Sequence, residues 1–177
     1  MKERNILQGL KLRETNILHI VQDSIKSLKK PDSIEISVLS HLQNEVVWID
    51  HEQMVGALIN LEENAIEAMP EGGCLTISIS DSENNIFITV QDSGPGIAPG
   101  NMEQLFTPFF TTKPPGEGTG LGLAETYGII KAHQGSISIT SNNDPLKGPT
   151  GTKISIMLPR RIILQNKEMK MILHDDE

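Results

Sequence analysis

The sequence predicts an α+β fold built as a two-layer sandwich, and three observations carry that expectation. Two segments, 51–69 and 121–133, repeat apolar residues at helical spacing. Two short β-rich runs, 75–79 and 86–90, are joined by the turn-forming stretch Asp81-Ser-Glu-Asn-Asn85, which marks a hairpin. Strands and helices do not alternate regularly, as a doubly wound parallel sheet would require. A chain of 177 residues fits one domain with a tail at each end.

The elements follow in order. Ile17, Val21, Ile25 and Leu28 recur at helical spacing, so 15–29 is expected to be a helix capped by Thr15 or Asn16 and stopped by Pro31. Segments 34–39 and 46–49 are β-rich and close in sequence, and are expected to pair with each other. Asp50 can cap the helix 51–69, whose apolar stripe is Met54, Leu58, Leu61, Ala65 and Ala68; Pro70 and Gly72-Gly73 end it. After the hairpin comes a stretch dense in glycine and proline. The helix 121–133 follows, then Gly135, a strand at 137–139 and a closing strand at 153–158.

Charge excludes several function classes. Residues 1–30 carry seven Lys/Arg and three Asp/Glu, and 160–177 carry four of each. The middle, 31–159, holds four Lys against sixteen acids, a net of −12. No basic face is available there for nucleic acid. An anionic ligand would have to be held by backbone amides, a helix terminus and a metal ion. The single cysteine, Cys74, excludes an internal disulfide, and the five histidines have no zinc spacing. No apolar run approaches the ~18 residues of a membrane span. A cytoplasmic setting and no membrane contact are therefore expected for this chain.

Three segments carry candidate chemistry. On the helix 51–69, Asn60, Asn64 and Glu67 share one face away from the apolar stripe. Such a face can simply meet water, but an asparagine amide oxygen is also a hard ligand suited to Mg²⁺, which takes phosphate oxygens alongside it. Asp92-Ser-Gly94-Pro-Gly96 follows a strand. It reads equally as a plain turn and as an acceptor for an exocyclic amine, with glycines that let backbone approach a flat ring. Gly116-Glu-Gly118-Thr-Gly120-Leu-Gly122 leads into a helix and suits phosphate cradled by free amides. It is neither a P-loop nor a dinucleotide fingerprint. Gly148-Pro-Thr-Gly151-Thr152 reads as a turn into the last strand.

Taken together, Asn60-x-x-x-Asn64-Ala-Ile-Glu67, Asp92-Ser-Gly94-Pro-Gly96-Ile97, Phe106-Thr-Pro-Phe109-Phe110-Thr-Thr112-Lys113 and Gly118-Thr119-Gly120-Leu121-Gly122-Leu123 resemble the four boxes of the sensor histidine kinase catalytic domain. The resemblance covers about residues 32–159 and implies a Bergerat ATP-binding fold: a mixed, mostly antiparallel sheet backed by helices. It implies ATP and Mg²⁺ as cofactors. Asn64 would hold the metal and Asn60 would line the phosphate side. Asp92 would read the adenine amine, with Gly94 and Gly96 along the base. Phe109, Phe110 and Lys113 would belong to a lid, and Gly118, Gly120 and Gly122 would wrap the phosphates. Glu67, Ile97, Thr112, Thr119, Leu121 and Leu123 complete the implied ATP-binding set. Glu62-Glu63 depart from the family pattern, which puts nucleotide affinity or its magnesium dependence in question.

The fold alone does not decide the reaction. In the ATPase relatives a Glu stands four residues before the metal Asn; here that position is Asn60, which cannot take a proton at neutral pH. Phosphoryl transfer to a histidine on a dimerisation domain is the favoured reading. A Bergerat-fold ATPase, with Glu63 or Glu67 as the base, and a serine-kinase anti-sigma module are the alternatives. The acceptor is expected to lie elsewhere, because His19, His41 and His51 lack the family's His-Glu-then-Pro context. The chain is thus divided into the end of a preceding dimerisation helix and linker (1–31), the catalytic domain (32–159) and a linker with a C-terminal segment (160–177). Met169-Lys-Met-Ile-Leu-His-Asp175-Asp176-Glu177 resembles the first strand of a response-regulator receiver domain, although a plain acidic tail has the same composition. The expected partners are the phosphoacceptor domain of the same parent and a receiver domain.

Overall fold

A computed structural model describes residues 9–114 and 118–162. Strand β1 (Arg13–Asn16) runs into helix α1 (Ile17–Ser27), followed by β2 (Ile34–His41), β3 (Val46–Ile49) and helix α2 (His51–Glu67). Then come β4 (Gly73–Asp81), β5 (Asn85–Asp92), a 3-10 turn (Pro99–Gln104) and helix α3 (Gly122–Ala132). Strand β6 (Ser136–Asn142), a second 3-10 turn (Pro145–Lys147) and β7 (Gly151–Pro159) finish the fold. The main sheet has the order β2-β4-β5-β7-β6, with only β2 and β4 parallel. A parallel pair needs a crossover between its strands, and α2 supplies it.

The core lies between one sheet face and the helices. Alternating residues Leu75, Ile77 and Ile79 of β4, Ile86, Ile88 and Val90 of β5, and Ile154, Ile156 and Leu158 of β7 are all buried. Met54, Leu58, Leu61 and Ala65 of α2 pack against them, as their spacing predicts. Asp50 caps α2 by accepting from the N–H of Gln53 at 3.2 Å. The expected hairpin of β4 and β5 is present. Asn16, not Thr15, caps α1.

One expectation is corrected. Strands β2 and β3 do not pair with each other: β2 lies beside β4, and β3 pairs with β1 in a separate two-stranded sheet. The cause is Asp81, whose carboxylate takes the N–H groups of Gln43 and Asn44 at 2.9 and 3.0 Å and turns the connecting chain out of a hairpin path. Residues 13–27 pack with the rest of the fold. Residues 13–16 form a strand, and Ile17, Ile20 and Val21 are fully inside the same core. The helical stripe of α1 was legible, but periodicity does not say which surface a stripe packs on. Segment 169–177, with its receiver-like composition, lies outside the described residues, as does Gly116.

Candidate nucleotide site

A cavity of about 800 Å³ opens between α2, the sheet end at Asp92 and the segments 110–113 and 118–123. From α2 it takes Asn60, Asn64 and Glu67. From the loop after β5 it takes Gly96 and Ile97; from the loop before α3 it takes Phe110, Thr112 and Lys113. Gly118, Thr119, Gly120, Gly122 and Leu123 complete the expected set along its wall. Gly94, Phe109 and Leu121 do not line it.

Asp92 ends β5 and is 6% exposed. Its Oδ1 accepts from the N–H of Gly94 at 2.9 Å and of Thr152 at 3.1 Å. Burial pushes this carboxyl above its ordinary value, and the two amides pull it back only in part. Neither amide bonds Oδ2, which therefore remains an acceptor. Val90, Ile154, Ile139 and Leu105 make an apolar wall suited to a flat ring. Gly94 packs behind Asp92: a Cβ there would stand 3.0 Å from Ala68 O and from Asp92 Oδ1. In the sequence Thr152 reads only as part of a turn. No local signal separates it from any strand threonine; the β5–β7 register that sets Gln91 against Lys153 carries it to Asp92.

The opposite wall is polar. The Asn60 amide donates to Gly122 O at 3.4 Å, and the Asn64 side chain has no bond within the described residues. Helix α3 starts without a side-chain cap, so its first-turn amides have no partner of that kind at the cavity. Glu67 is ion-paired with Lys113. The charged residues on the wall are Lys113 against Glu63, Glu67 and Asp92. Side-chain charge therefore does not favour an anion here; amides and a cation must.

Glu62 is not at the cavity. Its side chain turns inward from α2, is 0% exposed and accepts from Ser24 Oγ at 2.8 Å. Only Glu63 of the acidic pair lines the wall, because neighbouring helix positions point about 100° apart. The loop before α3 is held by its own backbone. Phe109 donates its N–H to Gly120 O at 2.9 Å, with φ of +67° at Phe109 and +66° at Gly120. A Cβ on Gly120 would lie 2.5 Å from Phe109 C, so only glycine fits. Phe109 itself is 75% exposed, and Phe106 stacks on Tyr127 with ring centroids 5.1 Å apart.

His19, His41 and His51 do not converge on one place in the fold. His19 and His41 are exposed, and His51 bonds Asp23 at 3.1 Å. No helix of the described residues is long and apolar enough to cross a membrane. Among the described residues no three His, Cys, Asp or Glu side chains converge as a metal site.

Residues 49–162 match the family described as histidine kinase-, DNA gyrase B-, and HSP90-like ATPase. The chain is 39% identical over 128 residues to sporulation kinase A of Bacillus subtilis (strain 168), covering 71% of this chain and 20% of that protein. It is 41% identical over 116 residues to the sensor histidine kinase ZraS of Escherichia coli O157:H7, covering 66% of this chain and 24% of that one. The chain thus spans about a quarter or less of these relatives' length. Among solved structures, the mycobacterial sensor histidine kinase MprB superposes with a TM-score of 0.73 at 27% identity, over 86% of this chain and 99% of that one. The nucleotide-free catalytic domain of histidine kinase ThkA gives 0.68 at 30% identity, over 85% and 96%.

Proposed function

This chain belongs to the histidine kinase-, DNA gyrase B-, and HSP90-like ATPase family, and on that premise we propose that it is the phosphoryl-donating module of a sensor histidine kinase. It binds ATP with Mg²⁺ and presents the γ-phosphoryl group to a histidine on a dimerisation domain of the same parent, from which a receiver domain takes it. The observation that carries this reading is convergence. The uncapped start of α3, Asn60 and Asn64 of α2, and Asp92 of β5 all face one cavity, although they lie far apart in the chain.

The roles follow from the chemistry of each group. Asp92 Oδ2 accepts the adenine amine while Gly94 and Thr152 hold the carboxylate in place. Amides from Gly118 to Leu123 take the phosphates. Mg²⁺ fits the donor set: Asn64 offers an unengaged amide oxygen on a wall rich in carboxylates and would hold the ion beside the phosphates. The metal would neutralise charge on the phosphates. Lys113 is close enough to the wall to leave Glu67 for a phosphate. Asn60 supplies no base for water, which favours transfer over hydrolysis.

Titration of ATP with and without Mg²⁺ into the chain and its Asp92→Ala and Asn64→Ala variants tests the reading. Asp92→Ala should abolish measurable binding, and Asn64→Ala should remove the benefit of Mg²⁺. Unchanged affinity in both variants would refute it. Brisk steady-state hydrolysis by the chain alone would move the assignment to an ATPase.

A further inference from the structure

Helices α2 and α3 flank the proposed nucleotide cavity, and three polar contacts run along their antiparallel interface. At the cavity, Asn60 Nδ2 donates to Gly122 O at 3.4 Å. Midway, the buried Thr126 Oγ1 donates to Ala57 O at 3.4 Å. At the far end, the N–H of Asp50, the cap of α2, donates to His133 Nε2 at 3.1 Å. The α2 partner moves back along the chain as the α3 partner moves forward, so all three contacts specify one register. A slip of one residue would break them together.

His133 is the outermost of the three; like Thr126, its side chain is fully buried and does not line the cavity. Nδ1 lies 2.7 Å from Ile129 O, which can only accept, so Nδ1 carries the hydrogen. Nε2 faces an N–H, so it must present its lone pair. The partners therefore require the neutral Nδ1–H imidazole. The Asp50 carboxylate beside it is already engaged, Oδ1 by Gln53 N–H and Oδ2 by Lys11 N–H.

We propose that His133 is a positioning residue for nucleotide binding: by accepting from the N–H of Asp50 it locks the register of α3 against α2, and so sets the phosphate-facing amides around Gly122 against Asn60 and Asn64. The inference rests on the nucleotide site proposed above. Its logic is leverage. A buried N–H left without an acceptor is costly enough to favour a shifted helix in which that amide finds another partner. Such a shift moves both ends of α3.

The test is titration of ATP with Mg²⁺ into the full chain carrying His133→Leu, His133→Gln or Asp92→Ala. A leucine fills the space but cannot accept; a glutamine Oε1 reaches the place of Nε2 and can. His133→Leu should weaken binding about tenfold, which is about 1.4 kcal/mol, and His133→Gln should stay within about threefold of the parent. Equal affinity in His133→Leu and the parent would overturn the proposal, as would equal weakening by leucine and glutamine. Loss of binding in Asp92→Ala with none in His133→Leu would overturn the positioning role alone; no loss in Asp92→Ala would fault the site and with it the inference. Should His133→Leu fail to fold, nitrogen-15 NMR of the unaltered chain reads the imidazole directly. The Nδ1–H tautomer is expected, and an Nε2–H tautomer would overturn the proposal.

Discussion

Ser24 and Glu62 meet hydroxyl to carboxyl at 2.8 Å in the interface of α1 and α2, and solvent reaches neither side chain. The second carboxyl oxygen of Glu62 has no partner, and no ion pair to Glu62 is present among the described residues. Burial pushes this carboxyl up to about 7, with Ser24 opposing and Glu63 adding to the shift. A carboxyl so placed costs more to desolvate than one hydroxyl returns. Around this pair the interface is apolar, with Ile17, Ile20, Val21, Leu58 and Leu61 in the same core, and His51 bonds Asp23 across the same two helices.

Glu62→Leu should therefore stabilise the domain by roughly 1–3 kcal/mol. Urea unfolding at one fixed pH measures it. Affinity for ATP should not change, because the side chain faces away from the cavity. Destabilisation would mean that the bond to Ser24 outweighs the burial cost.

Acid should weaken the fold through His133. Burial lowers its pKa, opposed by the bond to Ile129 O and by Asp50. A depressed histidine contributes stability above its unfolded value, near 6.5, and that stability is lost as pH falls through the lower folded value. Below the unfolded value the unfolded chain takes up a proton that the folded imidazole refuses. The difference in unfolding free energy between the parent and His133→Gln should shrink between pH 7.5 and pH 5. A difference independent of pH would contradict the neutral imidazole.

Glu67 and Lys113 should act on nucleotide binding with opposite signs. Their ion pair spans α2 and the loop before α3, and both side chains are partly exposed. Glu67→Gln frees the lysine for phosphate and removes one acid from the wall, whereas Lys113→Ala removes the only cation among the described residues of the wall. A pair this exposed is worth about 0–1 kcal/mol, so Glu67→Gln should tighten binding by no more than about fivefold. Lys113→Ala should loosen it, and the effect should fade in high salt. Isothermal titration at two salt concentrations measures both.

Gly151 fixes the Asp92 end of the site. Its φ is +143°, and a Cβ there would stand 2.2 Å from Asp92 O. Gly151→Ala should cost more than about 1 kcal/mol of stability and also weaken ATP binding, since the strain falls on Asp92, the residue proposed to read the base. Gly100→Ala is the control, because a Cβ at Gly100 meets nothing within 4 Å. Equal behaviour of the two variants would show that Asp92 tolerates the displacement.

Features that depend on neighbours along the chain are legible in the sequence. Helix α2 follows from the spacing of Met54, Leu58, Leu61 and Ala65 with Asp50 as its cap; the β4–β5 hairpin follows from alternation about a turn. The candidate residues of α2 and of the glycine-rich segments were legible for the same reason, since helical spacing and runs of glycine are short-range signals. Only the tertiary structure decided where those pieces meet. It took β3 away from β2 and gave it to β1, because Asp81, about forty residues on, holds the amides of Gln43 and Asn44. It drew α1 into the core, turned Glu62 towards Ser24, and set Thr152 and Gly94 behind Asp92. Each of these depends on a partner remote in sequence. Periodicity states which face of an element is apolar, whereas the surface that face covers is chosen by the competition of all buried contacts at once.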